Sequence, residues 1–347
     1  MEDNGRLTVI GAGPAGVGAA MAAARHGIDV TIYELAPRPG LKPCGWGIPD
    51  HRKKEIPIPR ETILKEIDGA VLYVDGKHAI DYTGRGGPLG VVVDKPRMLE
   101  TLLEDAGVKV VFRAPVSIPF GDGPAVAAVG VSWYEGEKIN AVQVHLKAPK
   151  ADREKLEFYF DSHLIGYYWV FPMGDGIVKV GVGGFAGMSE LATKLERFIK
   201  RDPRLSGAPR VKPLHGAPLA VGGIKPRIIG STVFTGESVG GVYPLTGEGI
   251  RPSFLLGKTV GEALALGRDP VKALMSSDTT WKIQLQRRIL EMVKSLRPMR
   301  RAEFLSRLDP EVLVRIGLGD FSRLGLTAMV LKSPGILAQV IKRFLTK

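Results

Sequence analysis

The sequence predicts an α/β fold: a parallel sheet built around a nucleotide-type βαβ unit, a second domain of antiparallel strands, and a helical C terminus. Three observations predict it. Residues 6–34 read strand, glycine turn, helix, strand, with Leu7-Thr8-Val9-Ile10 first, a small-residue helix over 14–26, and Asp29-Val30-Thr31-Ile32-Tyr33-Glu34 last. That is a βαβ unit of about 30 residues. Between residues 132 and 185 apolar positions recur every second residue, as in Val142-Gln143-Val144-His145-Leu146 and Val178-Lys179-Val180-Gly181-Val182. Such alternation marks antiparallel strands with one buried face. From residue 272 onward the chain is helix-periodic and basic.

The remaining elements follow in order. A helix-period stretch over 97–106 leads into Val108-Lys109-Val110-Val111-Phe112, expected to be a further buried parallel strand. Thr232-Val233-Phe234-Thr235-Gly236 is a strand ending in a glycine turn, and a long helix is expected over 247–266. The organisation read from this is a discontinuous nucleotide-binding domain over 1–125 and 211–268, an antiparallel-sheet substrate domain over 126–210, and a helical region over 269–347.

Composition narrows the class. A chain of 347 residues buries a large core without staples. Its single cysteine, Cys44, excludes an intramolecular disulfide and any cysteine-rich metal or iron–sulfur site, so no metal is expected and a reducing cytoplasm fits. Forty-eight Lys plus Arg against 36 Asp plus Glu give a net charge of +12, which suits a phosphate-rich ligand, an anionic membrane face or nucleic acid; of these, no nucleic-acid partner is expected. Two Asn and four Gln are few, a depletion of thermolabile amides that leans toward a thermophilic source. The uncharged run over 7–24 is read as strand and helix rather than a secretory signal, because the start is acidic and glycines break the run. No other stretch approaches the roughly 20 apolar residues of a spanning helix, so a soluble or peripheral protein is expected.

Gly11-Ala12-Gly13-Pro14-Ala15-Gly16 is G-x-G-x-x-G between a strand and a helix, with Glu34 closing the next strand. The first glycine permits the tight turn, the second lets backbone approach a pyrophosphate, and the third lets helix and strand pack closely. Glu34 is placed to accept hydrogen bonds from a ribose 2′-hydroxyl, which disfavours a 2′-phosphate.

Residues 234–250, Phe-Thr-Gly236-Glu237-Ser-Val-Gly-Gly-Val-Tyr-Pro-Leu-Thr-Gly247-Glu-Gly249-Ile250, resemble the second FAD fingerprint of glutathione-reductase-like and hydroxybenzoate-hydroxylase-like flavoproteins. Glu237 stands where those families carry Asp on the ribityl chain. Gly121-Asp122-Gly123-Pro124 is similar to their Asp-Gly motif near the flavin, although an isolated Asp-Gly is also an ordinary turn, and the strands usual between it and Phe112 are missing. Tyr167-Tyr168-Trp169-Val170-Phe171-Pro172, followed after eight residues by Gly181-Val182-Gly183, matches the Y-x-W-x-F-P…G-x-G pattern of geranylgeranyl reductases. Lys42-Pro43-Cys44-Gly45-Trp46-Gly47 resembles the same family's P-x-x-C-G-G-G segment, with Leu41 for the first proline and Trp46 for the middle glycine. Asp94-Lys95-Pro96-Arg97 also fits, Lys95 standing where an arginine is usual.

The resemblance implies a hydroxybenzoate-hydroxylase-like two-domain flavoprotein, with a Rossmann-type FAD-binding domain and an antiparallel-sheet substrate domain. It implies FAD held through Gly11, Gly13, Pro14, Ala15, Gly16, Glu34, Cys44, Gly45, Lys95, Arg97, Asp122, Gly236, Glu237, Gly247, Gly249 and Ile250. A prenylated lipid would lie against Gly45, Trp46, Gly47, Tyr167, Trp169, Phe171, Pro172, Gly181 and Gly183, with Tyr167, Trp169 and Phe171 as an aromatic wall and room beside Gly181 and Gly183. The implied reaction saturates C=C bonds of geranylgeranyl-type chains; Cys44, Tyr167 and a bound water are alternative proton donors. No second G-x-G-x-x-G is present, so a transient reductant is expected, either NAD(P)H or a small electron-transfer protein. Two other readings stay open: a flavin monooxygenase of the aromatic hydroxylase type, and a non-catalytic FAD-binding paralogue. Apolar and basic positions over 324–344 suggest a segment that docks on an anionic bilayer or closes the cavity.

Overall fold

In the computed structural model, residues 5–49, 55–83, 88–121, 123–323, 325, 326, 335 and 338 are described. Asp122 and nearly all of the segment 324–344 lie outside the described residues.

The apolar run before the glycine turn becomes β1 (Arg6–Ile10), followed by α1 (Pro14–Ala24) and β2 (Asp29–Glu34). These strands are parallel, and β1 continues on its other side to β9 (Ala125–Ala127) and then β16 (Thr232–Phe234), both parallel. The two-residue β15 (Ile228–Ile229) pairs antiparallel with β16 at one edge, and β8 (Lys109–Phe112) closes the other. That edge position corrects one expectation: β8 is parallel but not buried, and Phe112 is exposed, because among the described residues no strand lies beyond it.

Helix α4 (Ile250–Ala265) crosses α1 backbone to backbone. Added methyls at Gly257 and Gly261 would strike the carbonyl oxygens of Ala15 and Ala19, and one at Gly18 would strike that of Phe254. The alanines and glycines of α1 thus have a packing cause: α1 is buried along most of its length and admits no larger side chain against α4. The expected helix start at 247 is three residues early. Gly247 to Gly249 form the turn before α4, with Gly247 at φ 66°.

Among the described residues the antiparallel sheet has seven strands in the order β14 (Arg210–Ala220), β10 (Lys138–Lys147), β13 (Ile177–Gly184), β12 (Gly166–Gly174), β11 (Lys155–Asp161), β5 (Gly69–Val74), β6 (Lys77–Thr83). All neighbours are antiparallel except β11 and β5. It therefore recruits a hairpin at 69–83 from well before residue 126 and extends past residue 210. A parallel pairing across some 85 residues leaves no local trace. Val142, Val144, Leu146, Val178, Val180 and Val182 pack under α3 (Met188–Arg201) through Leu191, Leu195 and Ile199. Strand alternation then turns Gln143, His145, Lys179, Gly181, Tyr167, Trp169 and Phe171 to the opposite face.

A three-stranded antiparallel sheet, β3 (Gly47–Pro49), β7 (Gly90–Val93) and β4 (Ile63–Ile67), links the two larger ones, and α2 (Lys95–Asp105) follows β7. Helices α5 (Pro270–Ser276), α6 (Asp278–Ser295), α7 (Pro298–Ser306) and α8 (Pro310–Gly317) follow, capped at α5, α6 and α8 by Asp269, Ser277 and Asp309. Their cluster of Leu285, Ile289, Phe304, Val312 and Ile316 is tied to the rest by buried polar side chains. Gln286 bonds Leu245 N and the carbonyls of Ile316 and Gly317, while Arg301 reaches the carbonyls of Val293, Lys294 and Ser162. Among the described residues no helix is long and apolar enough to cross a membrane.

Candidate functional site

The glycine turn is shaped by what each glycine faces. Gly11 has φ 99°, and a Cβ there would sit 2.5 Å from Ala128 O; a methyl at Gly16 would strike Gly11 O. Gly13 is different. Its backbone is extended, and a Cβ there would meet nothing within 4 Å, because it faces a cavity. Helix α1 starts just after it with Pro14, no side-chain cap and no acidic residue in its first turn. Its free N–H groups and positive end therefore open onto that space, which suits a phosphate. Glu34 accepts from Ala12 N at 2.6 Å and Ala36 N at 2.7 Å, holding the turn against the end of β2.

The second uncapped N terminus is that of α4, whose N-cap is Gly249. The turn before it is braced from below: Arg251, 3% exposed, pairs with Glu248 at 3.0 Å and Glu55 at 3.1 Å and donates to Leu318 O. Burial pushes the Glu248 carboxyl upward while Arg251 opposes the shift. Glu237 pairs with Lys42 at 2.5 Å and accepts from Ala220 N at 3.3 Å, so its extra methylene is accommodated by a lysine from the Cys44 loop. Lys95 is buried, donates to Lys42 O at 2.8 Å, and is depressed by burial.

The Cys44 loop is fixed from the sheet. Gln143 Nε2 and Lys179 Nζ both donate to Cys44 O, at 3.2 and 3.0 Å. Lys179 Nζ also stands 3.2 Å from the Trp46 ring centroid, a cation–π geometry in which burial holds the lysine well below its ordinary value, and His145 meets the same ring edge-on at 6.3 Å. Trp46 sits at φ 67°, a left-handed conformation that only glycine adopts without strain. Burial, then the charges of Lys179 and Lys212, push His145 down to about 3.

Tyr167, Trp169 and Phe171 form a continuous wall with Phe158, ring centroids 5.3 to 6.2 Å apart. The room expected beside Gly181 is taken by Trp169 itself, whose indole lies over that glycine; a methyl there would overlap the ring. The Tyr167 hydroxyl donates to Thr246 O, and burial raises it well above its ordinary value.

Most of these residues border one cavity of about 1090 Å³, with His145, Lys179 and Arg251 standing behind its lining. It begins at Gly11, Gly13, Pro14, Ala15 and Glu34, passes Cys44, Gly45, Trp46, Gly47, Lys95, Glu237, Gly247, Gly249 and Ile250, and runs along Tyr167, Trp169, Phe171 and Gly183. Its far end is aliphatic, closed by Ile289, Leu290 and Val293 of α6 together with Phe304, Leu308, Val312 and Ile316. Gly16, Gly236, Pro172 and Gly181 lie behind the wall rather than in it; Gly236 packs on Ala15 Cβ. Arg97 is exposed on α2 and does not reach the cavity. Missing from the sequence reading are Gln143, His145 and Lys179. A lysine alternating with valines on the same strand face as Tyr167 was the available signal. Among the described residues no cluster of His, Cys, Asp or Glu is arranged to hold a metal.

Residues 9–43 match the family model of the NAD(P)-binding Rossmann-like domain. The digeranylgeranylglycerophospholipid reductase of Methanothrix thermoacetophila is 26% identical over 93% of this chain and 94% of its own. The menaquinone reductase of Mycobacterium tuberculosis (strain H37Rv) is 26% identical over 76% of this chain and 77% of its own. Among solved structures, a geranylgeranyl bacteriochlorophyll reductase-like protein from Thermoplasma acidophilum aligns over 98% of both chains, with TM-score 0.79 and 20% identity. A flavin-dependent brominase aligns over 97% of this chain and 98% of its own, with TM-score 0.68 and 15% identity. The fold is thus the two-domain flavoprotein fold. Beside the motif resemblance stand relatives named reductases that align over three quarters or more of the chain, and the chain is an oxidoreductase.

Proposed function

We propose that this protein is an FAD-dependent reductase that saturates C=C bonds in the geranylgeranyl-type chain of a membrane lipid. One observation carries the proposal: a single cavity joins two uncapped helix N termini to an aromatic and then aliphatic channel. The residues at the first end fit FAD. Open space at Gly13 and the N–H groups of α1 suit the pyrophosphate, and Glu34 suits the adenosine ribose. Glu237 and Lys42 suit the ribityl chain, and the N terminus of α4 suits the electron-rich pyrimidine edge.

When bound, the flavin supplies hydride to one alkene carbon. The chain's own residues must then hold the alkene, exclude water and deliver a proton to the other carbon. Tyr167, Trp169 and Phe171 present ring faces on which electron-deficient carbon is eased. Of the proton donors weighed, Tyr167 is disfavoured, because its hydroxyl already donates to Thr246 O and burial makes it a weaker acid. Cys44, half-buried in the cavity wall, and a bound water remain. The aliphatic end lined by α6 and α8 accommodates the rest of the chain. A quinone bearing a prenyl tail offers the same alkene chemistry and is the second substrate candidate, in keeping with the mycobacterial relative's name. Electrons come from NAD(P)H or a small electron-transfer protein, and we place the enzyme in the cytoplasm, peripheral to the membrane that holds its substrate.

The test is product analysis. Purified protein with an excess of chemical reductant and a digeranylgeranyl lipid should yield lipid heavier by one pair of hydrogens per saturated bond, by mass spectrometry. Oxygenated lipid appearing only in air would instead favour the monooxygenase reading.

A further inference from the structure

We infer that Gln143 and Trp169 together form a binding site for a neutral hydroxyl group, one that donates to the Gln143 amide oxygen and accepts from the Trp169 indole N–H. Among the described residues neither atom, Gln143 Oε1 or Trp169 Nε1, has a hydrogen-bond partner, and both are buried. Their side chains are 3% and 8% exposed, and both residues line the cavity. Polar atoms buried this deeply are nearly always partnered, so two of them on one cavity wall call for a ligand.

Register brings them together. Trp169 pairs with Gly181, and Gly181 pairs in turn with Gln143, so the three stand in a row across β12, β13 and β10 on one face. The glycine leaves the middle position bare and the indole folds over it. Cε2, the ring carbon bonded to Nε1, is 2.5 Å from where a Gly181 Cβ would be. The N–H side of the ring therefore lies above the strand between Trp169 and Gln143, with neighbouring strands only about 4.8 Å apart.

The amide is not free to turn round. His215 Nδ1 is 2.8 Å from Pro213 O, which can only accept, so Nδ1 carries the hydrogen and Nε2 is an acceptor. Gln143 Nε2 lies 3.0 Å from that His215 Nε2 and 3.2 Å from Cys44 O. Both neighbours require a donor. The NH₂ group faces them, and Oε1 is the atom left for a ligand. A carboxylate would be repelled by Oε1, and an ammonium would leave the indole N–H unpaired. A hydroxyl satisfies both.

That hydroxyl belongs either to an ordered water or to an alcohol on the ligand. The site stands on geometry alone; only the choice of a prenyl alcohol as probe rests on the reductase reading. Calorimetry on the purified, cofactor-loaded protein would compare a prenyl alcohol with the hydrocarbon of equal length, in wild type and in Trp169→Phe. A crystal structure of the unliganded wild type would accompany it. A preference for the alcohol of about tenfold, lost in Trp169→Phe, supports the site and assigns it to the ligand. No preference, with an ordered water about 3 Å from both Gln143 Oε1 and Trp169 Nε1, supports it and assigns it to water. Neither an alcohol preference nor such a water overturns it. The crystal and the wild-type comparison decide even if Trp169→Phe fails to fold. Failure of both probes to bind counts against the reductase reading, and the crystal still decides the hydroxyl site.

Discussion

The two ends of the cavity are built in different ways. At the nucleotide end the working groups are backbone: glycines that let chain approach chain, and helix N termini left without caps. At the aromatic end they are side chains gathered from distant strands, with Cys44 O held by Gln143 and Lys179, 99 and 135 residues further on. A backbone site is written in a short stretch and tolerates few substitutions. A side-chain site is spread through the sequence and should yield in graded steps.

The sharpest contrast is at the glycine turn. Gly13→Val puts its branched side chain into open cavity from an extended backbone, so the protein should fold with the melting temperature of cofactor-free wild type and purify colourless. Gly16→Val drives atoms into Gly11 O and should give no soluble folded protein. Bound flavin is read from visible absorbance and folding from circular dichroism. A yellow Gly13→Val protein would remove the pyrophosphate assignment.

At the other end, Gly181→Ala should displace the Trp169 indole. Overpacking of this kind costs about 1–3 kcal/mol of stability. Turnover of prenyl substrate should fall at least tenfold while flavin content stays at wild-type level. Equal losses of flavin and turnover would mean that the two ends are not separable.

A smaller effect concerns His145, held down at about 3 against an ordinary value of 6.5. Between these values the unfolded chain binds a proton that the folded chain refuses, so stability falls as pH drops from about 6.5 toward 3. His145→Gln should flatten that part of the stability–pH curve. Parallel denaturation curves for wild type and variant across this range would show that His145 protonates freely in the fold.

Smallest is the expected effect of Trp46→Gly. The indole faces the sheet beneath Lys179 rather than solvent, and it lines the cavity. Removing it relieves the left-handed strain but forfeits the cation–π contact, so stability should change by under about 1 kcal/mol. The range of accepted prenyl lengths should extend toward longer or bulkier chains, with flavin retained. An unchanged length profile would mean that Trp46 does not narrow the channel.

The same contrast explains what could be read in advance. β2 was legible to the residue, as were the tight turn at Gly11 and the close packing at Gly16, because 3.6- and two-residue periods and φ-demanding glycines are local signals. The face shared by Tyr167, Trp169 and Phe171 was legible from alternation alone. The hairpin at 69–83 was not, since its place beside β11 depends on a pairing that no neighbouring residue announces. Arg97 belongs to the Asp94-Lys95-Pro96-Arg97 motif yet lies on the solvent side of α2, whose first turn instead buries Lys95. Gln143 and Lys179 were passed over because a polar residue in a valine-rich strand reads as the exposed face until a second loop is known to cover it.

The central claim is that one cavity brings reduced flavin and prenyl alkene into contact. It is tested most directly by reducing the purified protein without oxygen, adding digeranylgeranyl lipid, and following the visible spectrum. The account expects the oxidised flavin spectrum to return in proportion to the lipid added, and not when fully saturated lipid is added instead. A reduced spectrum that persists with unsaturated lipid bound would contradict it.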